Sequence, residues 1–279
     1  MFRAAADADS ALAVCSEYPV IRWENGQTRA LEDHVAEEMP VALVYNGISH
    51  AVMLATPQDL EDFAFGFSLT EGIIGRPQDI YDIETFPRID GVELRITLAS
   101  EQFQMLKLRR RSMTGRTGCG LCGAESLEQA MRIPTNVMPL GTRIPASSLE
   151  KAIEEIGRQQ QLQLLTGGTH ACAWIDNDGS IKLLREDVGR HNALDKLIGA
   201  IARSGAGADG FVLTTSRASY EMVQKTASAG IPLLAAMSAA TGLAIRVAQG
   251  CGMTLIGFAR HRKHVIYSCP ERVLHEEAT

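Results

Sequence analysis

The residues best suited to chemistry are two cysteines, Cys119 and Cys122, in the sequence CGLCG. Between positions 102 and 124 every charged side chain is basic: Lys107, Arg109, Arg110, Arg111 and Arg116. A thiol reacts as its thiolate, and nearby cations favour that form. The glycines beside the cysteines leave the sulfur atoms sterically open. Two neighbouring thiols on a basic segment therefore predict sulfur chemistry on an anionic partner.

The spacing of the two cysteines leaves four interpretations open. A structural zinc site needs four ligands, and no second CxxC or histidine pair lies near in the sequence. A thioredoxin-type redox pair follows a strand and begins a helix, whereas these cysteines lie in a glycine-rich stretch. The other two interpretations are a sulfur carrier that holds sulfur as a persulfide and an inert exposed pair. The basic residues favour thiolate chemistry, because a zinc site does not need them.

The composition is that of a soluble globular protein, with 46% apolar and 22% charged residues in a chain of 279. The net charge of −6 excludes a general nucleic-acid or membrane binder, so an anion site must be a local patch. The N-terminus lacks a signal-peptide pattern, and no apolar run approaches the roughly 20 residues that span a bilayer. We therefore expect a cytoplasmic protein with reduced cysteines, in which Cys172 and Cys251 belong to the core.

The first part of the chain predicts a small α+β domain over residues 18–100, after a frayed N-terminus. Its apolar patterns predict four strands, at 41–45, 48–54, 80–86 and 92–98. The first two strands form a hairpin, because Asn46-Gly47 accepts the positive φ of a tight turn. Thr56, followed by proline, predicts the N-cap of a helix that ends near Gly72.

Residues 101–145 break this pattern, because they contain the basic run, the glycine-flanked cysteines and three prolines. This composition predicts an exposed connector with short helices, mobile in the absence of partners. Over residues 146–279, apolar strands alternate with helices of about 10 to 14 residues, which is typical of an α/β domain. We expect a largely parallel sheet with helices on both faces.

A second notable motif, EDVGRH at 186–191, lies between a predicted strand and a predicted helix. Strand-to-helix turns of this kind bind ligands in parallel sheets. Gly189, Arg190 and His191 would offer free helix N–H groups and donors suited to phosphate. The alternative is local capping, in which Asp187 closes the start of the helix while Asp195 and Lys196 lie in solvent.

Two more polar turns follow strands of the same predicted sheet. Ser216 and Arg217 come directly after one strand, and the cationic run from Arg260 to Lys263 follows the last long strand. Short charge runs are usually solvated surface. If the strands are parallel, however, these residues share one edge with Gly189. Three polar turns on one edge would suit a nucleotide or another phosphate-bearing ligand.

Five stretches of the chain resemble the formate dehydrogenase accessory sulfurtransferases, the FdhD family. They lie between about positions 35 and 267, and they are PVALVYNGISH at 40–50, GRTGCGLCG at 115–123, EDVGRH at 186–191, SRASYEMVQK at 216–225 and IGF at 256–258. Together these motifs are far more specific than a CxxC pair alone.

The resemblance implies a sulfurtransferase that takes sulfane sulfur from a cysteine desulfurase. It would deliver the sulfur to the molybdenum bis(molybdopterin guanine dinucleotide) cofactor, for insertion into formate dehydrogenase. By motif match, Cys119 would carry the persulfide and Cys122 would be the second thiol. The family's cofactor-binding stretch would fall on Phe258, Ala259, Arg260, His261, Arg262 and Lys263. Members of the family usually form homodimers.

The resemblance also implies a C-terminal domain similar in fold to the cytidine deaminases, a three-layer sandwich. The deaminase zinc signature, HxE followed by PCxxC, is absent from this domain, which argues against a permanently bound metal and against deamination. Many relatives carry a glycine pair where this chain has His261 and Arg262. The alternative function is a cofactor-binding chaperone whose CxxC is a structural or redox pair.

Overall fold

The structure of the protein, a computed structural model, describes residues 12–114, 143–206 and 209–275, with the backbone alone at 109–114. In these ranges the chain forms fourteen strands: β1 (Cys15–Glu24), β2 (Gln27–Ala36), β3 (Met39–Tyr45), β4 (Ile48–Ala55), β5 (Ile80–Arg88), β6 (Gly91–Leu98), β7 (Ile144–Pro145), β8 (His170–Asp176), β9 (Ile181–Asp187), β10 (Gly210–Thr214), β11 (Leu233–Ala236), β12 (Thr254–Arg260), β13 (Lys263–Ser268) and β14 (Val273–Leu274). Its seven α-helices there are α1 (Leu60–Thr70), α2 (Ser100–Thr114), α3 (Ala146–Gln159), α4 (Gln161–Thr166), α5 (Arg190–Ser204), α6 (Tyr220–Ser228) and α7 (Gly242–Gly250). No helix in these ranges combines the length and hydropathy of a membrane span.

The described chain begins with a long hairpin that the sequence analysis did not predict. Strands β1 and β2 pair antiparallel over their whole length, from Cys15 opposite Ala36 to Glu24 opposite Gln27. The turn between them, Asn25-Gly26, has positive φ angles of 51° and 80°. The order therefore extends back to Cys15, and the expectation of a frayed chain up to about residue 17 is wrong there.

A four-stranded sheet in the order β4-β3-β6-β5 forms the centre of the N-terminal part. The predicted hairpin is confirmed, since β3 pairs antiparallel with β4, and the next two predicted strands, β5 and β6, also pair antiparallel. Helix α1 packs on the inner face of this sheet through Phe63 and Phe67. Helix α2 follows β6 directly, and Leu106 is buried in the same core. The segment predicted as a connector therefore begins with a helix that belongs to this core.

The second sheet has six strands in the order β13-β12-β11-β10-β8-β9. Only the pairs β10–β11 and β11–β12 are parallel, so the prediction of a largely parallel sheet is wrong. The reason lies in two tight turns, after Asp176 and after Arg260, since a tight turn joins antiparallel neighbours. Helices α5, α6 and α7 cover one face and α3 covers the other, which gives three layers. The likeness to cytidine deaminases stays a prediction.

The two sheets are joined by a close crossing of α1 and α5. A Cβ atom at Gly66 would lie 1.6 Å from the carbonyl oxygen of Asp195, and one at Gly199 would lie 1.9 Å from that of Asp62. Only glycine allows backbones to approach so closely. This junction also buries Asp195 and Lys196, so the interpretation that they lie in solvent is wrong.

Candidate anion-binding site

The polar turns named in the sequence analysis lie along one edge of the six-stranded sheet. Strands β9 and β10 run in the same direction, because both pair antiparallel with β8. Strands β11 and β12 continue parallel to β10. The carboxyl ends of β9, β10, β11 and β12 therefore share an edge, although the sheet is mixed.

The turn from β9 to α5 is only two residues long, Val188 and Gly189, so the polar first residues of α5 lie at this edge. Gly189 is the N-cap of α5 and has an extended φ of −101°. A Cβ atom at this position would lie 2.9 Å from Nδ2 of Asn192, so the close approach of the Asn192 amide requires glycine. Arg190 and His191 are the first residues of α5, where backbone N–H groups lack partners within the helix.

His191 is held by the first turn of the neighbouring helix α6. Its Nε2 atom lies 2.7 Å from Oε2 of Glu221 and 3.5 Å from Oγ of Ser219. Burial lowers the pKa of His191; Glu221 acts in the opposite direction, and the cations Arg190 and Lys225 lower it further. The imidazole is therefore neutral at neutral pH. It donates its Nε2 proton to Glu221, which leaves Nδ1 as an acceptor.

Arg190 contributes an unpaired charged donor to the same edge. Its Nε atom is buried, and in the part of the chain that the structure describes it has no hydrogen-bond partner. His170 lies nearby at the start of β8, and its pKa is lowered by burial and by the charge of Arg190. Positive charge, free helix N–H groups and an unpaired guanidinium donor together form an environment that favours an anion.

Ser216 and Arg217 follow β10 at this edge and differ in exposure. Ser216 is buried, and its hydroxyl lies 3.1 Å from both Oγ1 of Thr214 and the carbonyl oxygen of Arg217. Arg217 is exposed. The hydroxyl of Ser216 therefore serves the turn itself, whereas Arg217 is accessible to a ligand.

The stretch from Phe258 to Lys263 forms the end of β12 and a tight turn into β13. Phe258 is exposed with a φ of 50°, and its N–H donates to the carbonyl oxygen of Ser238. Ala259 is fully buried, whereas the four basic residues that follow it are exposed: Arg260, His261, Arg262 and Lys263. Arg262 has a φ of 53°, a conformation that favours glycine. The chain thus keeps a glycine-type backbone where the family resemblance implies glycine.

The site residues proposed from sequence therefore form two groups at one edge of the sheet, one around Arg190 and His191 and the other in the turn at 260–263. His261 Nδ1 lies 2.9 Å from Oε1 of Glu154, so the turn leans toward α3 on one face of the sheet. Arg190 and His191 lie at the N-terminal ends of the helices on the opposite face. Sequence reasoning did not include His170, Ser219 and Glu221 in the site, because their contacts join segments far apart in the chain.

Cys119 and Cys122 lie outside the described residues. Of the cysteines within them, Cys172 and Cys251 are buried in the core, as predicted. Burial raises the pKa of the Cys172 thiol to about 12, which makes it a poor nucleophile. The described ranges contain no group of three or more histidine, cysteine or acidic side chains that could hold a metal ion.

Comparison with known proteins gives one consistent family. Residues 36–274 match the model of the FdhD/NarQ family. A curated relative from Cupriavidus necator is 55% identical over 273 residues, which cover 98% of this chain and 94% of that protein. A relative from Bordetella petrii is 51% identical over 263 residues, which cover 93% and 94%. Both relatives carry the name "Sulfur carrier protein FdhD".

A solved structure shares the fold of the chain. It is a crystal structure described as a formate dehydrogenase accessory protein from Desulfotalea psychrophila, with a TM-score of 0.74 and 24% identity. The match covers 94% of this chain and all of the other one. The likeness at this identity concerns the fold alone.

Proposed function

The chain belongs to the FdhD/NarQ family, and on that basis we propose that it is a sulfur carrier for the maturation of formate dehydrogenase. In this proposal Cys119 accepts sulfane sulfur from a cysteine desulfurase and passes it to the molybdenum bis(molybdopterin guanine dinucleotide) cofactor. The names of the relatives support the carrier role, and the basic CxxC segment supports a thiolate that acts on an anion.

The proposed transfer consists of thiol–disulfide exchange steps. The Cys119 thiolate attacks the terminal sulfur of the desulfurase persulfide, the sulfur–sulfur bond breaks, and the desulfurase thiolate leaves. The Cys122 thiolate then attacks the inner sulfur of the Cys119 persulfide, which forms a Cys119–Cys122 disulfide and releases hydrosulfide to the cofactor. Two equivalents of a cellular thiol then reduce this disulfide by exchange, become a disulfide themselves, and restore both cysteines for the next cycle.

The sulfur-carrier proposal is tested by loading. The protein is incubated with a cysteine desulfurase and free cysteine, and the tryptic peptide that contains Cys119 is weighed. We expect the peptide to gain the mass of one sulfur atom, and Cys119→Ala to abolish both this gain and formate dehydrogenase activation. Cys122→Ala is the matched control, because it should still accept sulfur. If the Cys119→Ala variant activated formate dehydrogenase, the carrier role of Cys119 would be wrong.

We further propose that the edge with Arg190 and His191 binds the cofactor's phosphates. The buried Arg190 Nε is the observation that carries this proposal, because leaving a buried polar donor unpaired costs about 1 to 3 kcal/mol or more. A phosphate oxygen would supply the missing acceptor, and each guanine dinucleotide arm contains a pyrophosphate. Local capping, the alternative interpretation, accounts for Asp187 but gives Arg190 no role.

The phosphate-site proposal is tested with guanosine diphosphate by calorimetry. Arg190→Met should weaken binding by about 1.5 to 3 kcal/mol, the value of a hydrogen bond to a charged group. Arg22→Met is the matched control, since Arg22 is an exposed arginine on the N-terminal hairpin. Equal affinities of the Arg190→Met variant and the wild type would refute the site. The chaperone alternative predicts nucleotide binding with a CxxC that resists alkylation until a chelator or a reductant is added.

A further inference from the structure

We infer that Asp187 and Thr56 are positioning residues of the anion-binding site, with no contact to the ligand themselves. This inference rests on the proposed phosphate site at Arg190 and His191. It concerns what fixes the direction of those two side chains, which the N-cap cannot do because Gly189 has no side chain.

The first observation is the set of donors around Asp187, whose side chain is fully buried. Its Oδ1 atom accepts hydrogen bonds from Gly189 N at 2.8 Å and from Asn192 Nδ2 at 3.1 Å. Its Oδ2 atom accepts from Thr56 N at 3.0 Å and lies 2.7 Å from Nζ of Lys196. One carboxylate thus joins both ends of the turn before α5 to the segment between β4 and α1.

The second observation is that Thr56 closes the same network from the other side. Its Oγ1 atom accepts a hydrogen bond from Val188 N at 3.1 Å, and its carbonyl oxygen accepts from Nζ of Lys196 at 2.9 Å. Asn192 Nδ2 also donates to the carbonyl oxygen of Leu54 at 2.7 Å. The backbone N–H of Val188 thus donates to Thr56, and that of Gly189 donates to Asp187. Both N–H groups of the turn are bonded, so the turn that leads to Arg190 has a fixed course.

A second buried network at the same junction provides an internal comparison. Thr70 Oγ1 donates to Oδ1 of Asp195 at 2.7 Å, and Lys225 Nζ lies 3.0 Å from Oδ2 of Asp195. This network also joins α1 to α5 and is equally buried. It has no hydrogen bond to the turn 187–189, so its loss should affect stability without changing the direction of Arg190.

The position of Thr56 in the chain gives the arrangement a functional meaning. Thr56 belongs to the N-terminal part, whose helix α2 is described as far as Thr114, five residues before Cys119 in the sequence. The part of the chain that leads into the CxxC segment therefore also fixes the anion site.

The test uses paired valine variants, which keep the shape of threonine and remove its hydroxyl. We expect Thr56→Val to weaken guanosine diphosphate binding about five- to tenfold, as expected for the loss of one buried hydrogen bond. Thr56→Ser keeps the hydroxyl and should restore the wild-type affinity. Thr70→Val should lower the melting temperature about as much as Thr56→Val does. It should leave the affinity for guanosine diphosphate within about twofold of the wild-type value.

Each outcome separates the inference from the function on which it rests. If wild type binds guanosine diphosphate and both valine variants lose the same affinity, or neither does, the positioning role is wrong. If wild type does not bind, or Arg190→Met binds normally, the phosphate site itself is wrong. Should Thr56→Val not fold, Asn192→Ala removes a donor to Asp187 and leaves Thr56 intact. A folded Asn192→Ala variant with unchanged affinity overturns the inference.

Discussion

The two groups of site residues at the sheet edge are built in opposite ways. The turn that carries Arg190 is fixed by the hydrogen bonds that its backbone N–H groups donate to Asp187 and Thr56. The turn that carries Arg262 is exposed, and Arg262 itself adopts a left-handed backbone conformation. The surroundings determine the conformation of the first turn, whereas Arg262 in the second turn keeps a backbone strain of about 1 to 3 kcal/mol.

The comparison shows how one edge can combine a rigid and an adaptable half. Charged side chains at 260–263 lie in solvent and can change rotamer when a ligand arrives. Arg190 cannot, because its Nε atom is already buried. The fixed group would therefore orient a long anionic ligand, and the exposed side chains would change rotamer to contact it. Three expectations, in decreasing order of effect, test this difference.

The largest effect is expected at the fixed turn, from Gly189→Ala. The new Cβ atom would lie 2.9 Å from Asn192 Nδ2, an amide held by two hydrogen bonds. Overpacking of this kind costs about 1 to 3 kcal/mol of stability. Calorimetry should show a loss of guanosine diphosphate affinity of about tenfold or more. Gly250→Ala is the control, because a Cβ there meets no atom within 4 Å. Normal binding by Gly189→Ala would mean that the turn is not rigid.

A smaller effect is expected from pH, which acts on the fixed group through His191 and His170. The pKa values of His191 and His170 both lie below the ordinary histidine value, with burial as the first cause. The groups facing His191 are Glu221, Arg190, Lys225 and His170. Both imidazoles are neutral at pH 7.5 and gain a proton only as the pH falls below about 6.5.

The added positive charge should strengthen phosphate binding a few-fold between pH 7.5 and pH 5.5. Affinity for guanosine diphosphate is measured across this range for wild type and for His191→Gln. The variant corrects for protonation of the nucleotide itself and should show a flatter profile. Identical profiles for the two proteins would exclude His191 from the site.

The smallest effect is expected at the exposed turn, from Arg262→Gly. Glycine adopts a φ of 53° without steric cost, so the substitution should raise the free energy of unfolding by about 1 kcal/mol. Urea denaturation measures the change. Arg260→Gly is the matched control and should be destabilising, because Arg260 lies at the end of a strand and its φ is not positive. A loss of stability in Arg262→Gly would contradict the assignment of strain to this residue.

Local signals in the sequence were sufficient to predict most strands and helices. Asn46-Gly47 and the alternation of apolar residues gave β3 to β6, and the same Asn-Gly signal at Asn25-Gly26 was available for β1 and β2. The direction of the outer strands was predicted less well, since it depends on the tight turns after Asp176 and Arg260. The three polar turns nevertheless share an edge. Strand β8 lies between β9 and β10 and is antiparallel to both, so β9 and β10 run in the same direction.

The contacts that make the site specific could not be predicted. Thr56 has the sequence context of an N-cap, yet α1 begins at Leu60 after Asp59, and the Thr56 hydroxyl accepts from Val188 instead. Its partner lies more than a hundred residues away, which no local propensity encodes. The local sequence predicts Asp187 as a helix cap and Lys196 in solvent, and only the packing of α1 on α5 makes them a buried pair.

The glycine crossing of α1 and α5 has a consequence for how the protein unfolds. With the two helix backbones in direct contact at Gly66 and Gly199, separating the two sheets would expose Asp62, Asp195 and Lys196 together. Opening one half therefore removes the contacts that hold the other, so the two halves form a single cooperative unit. Amide hydrogens in α1 and α5 should exchange with solvent only when the whole molecule unfolds.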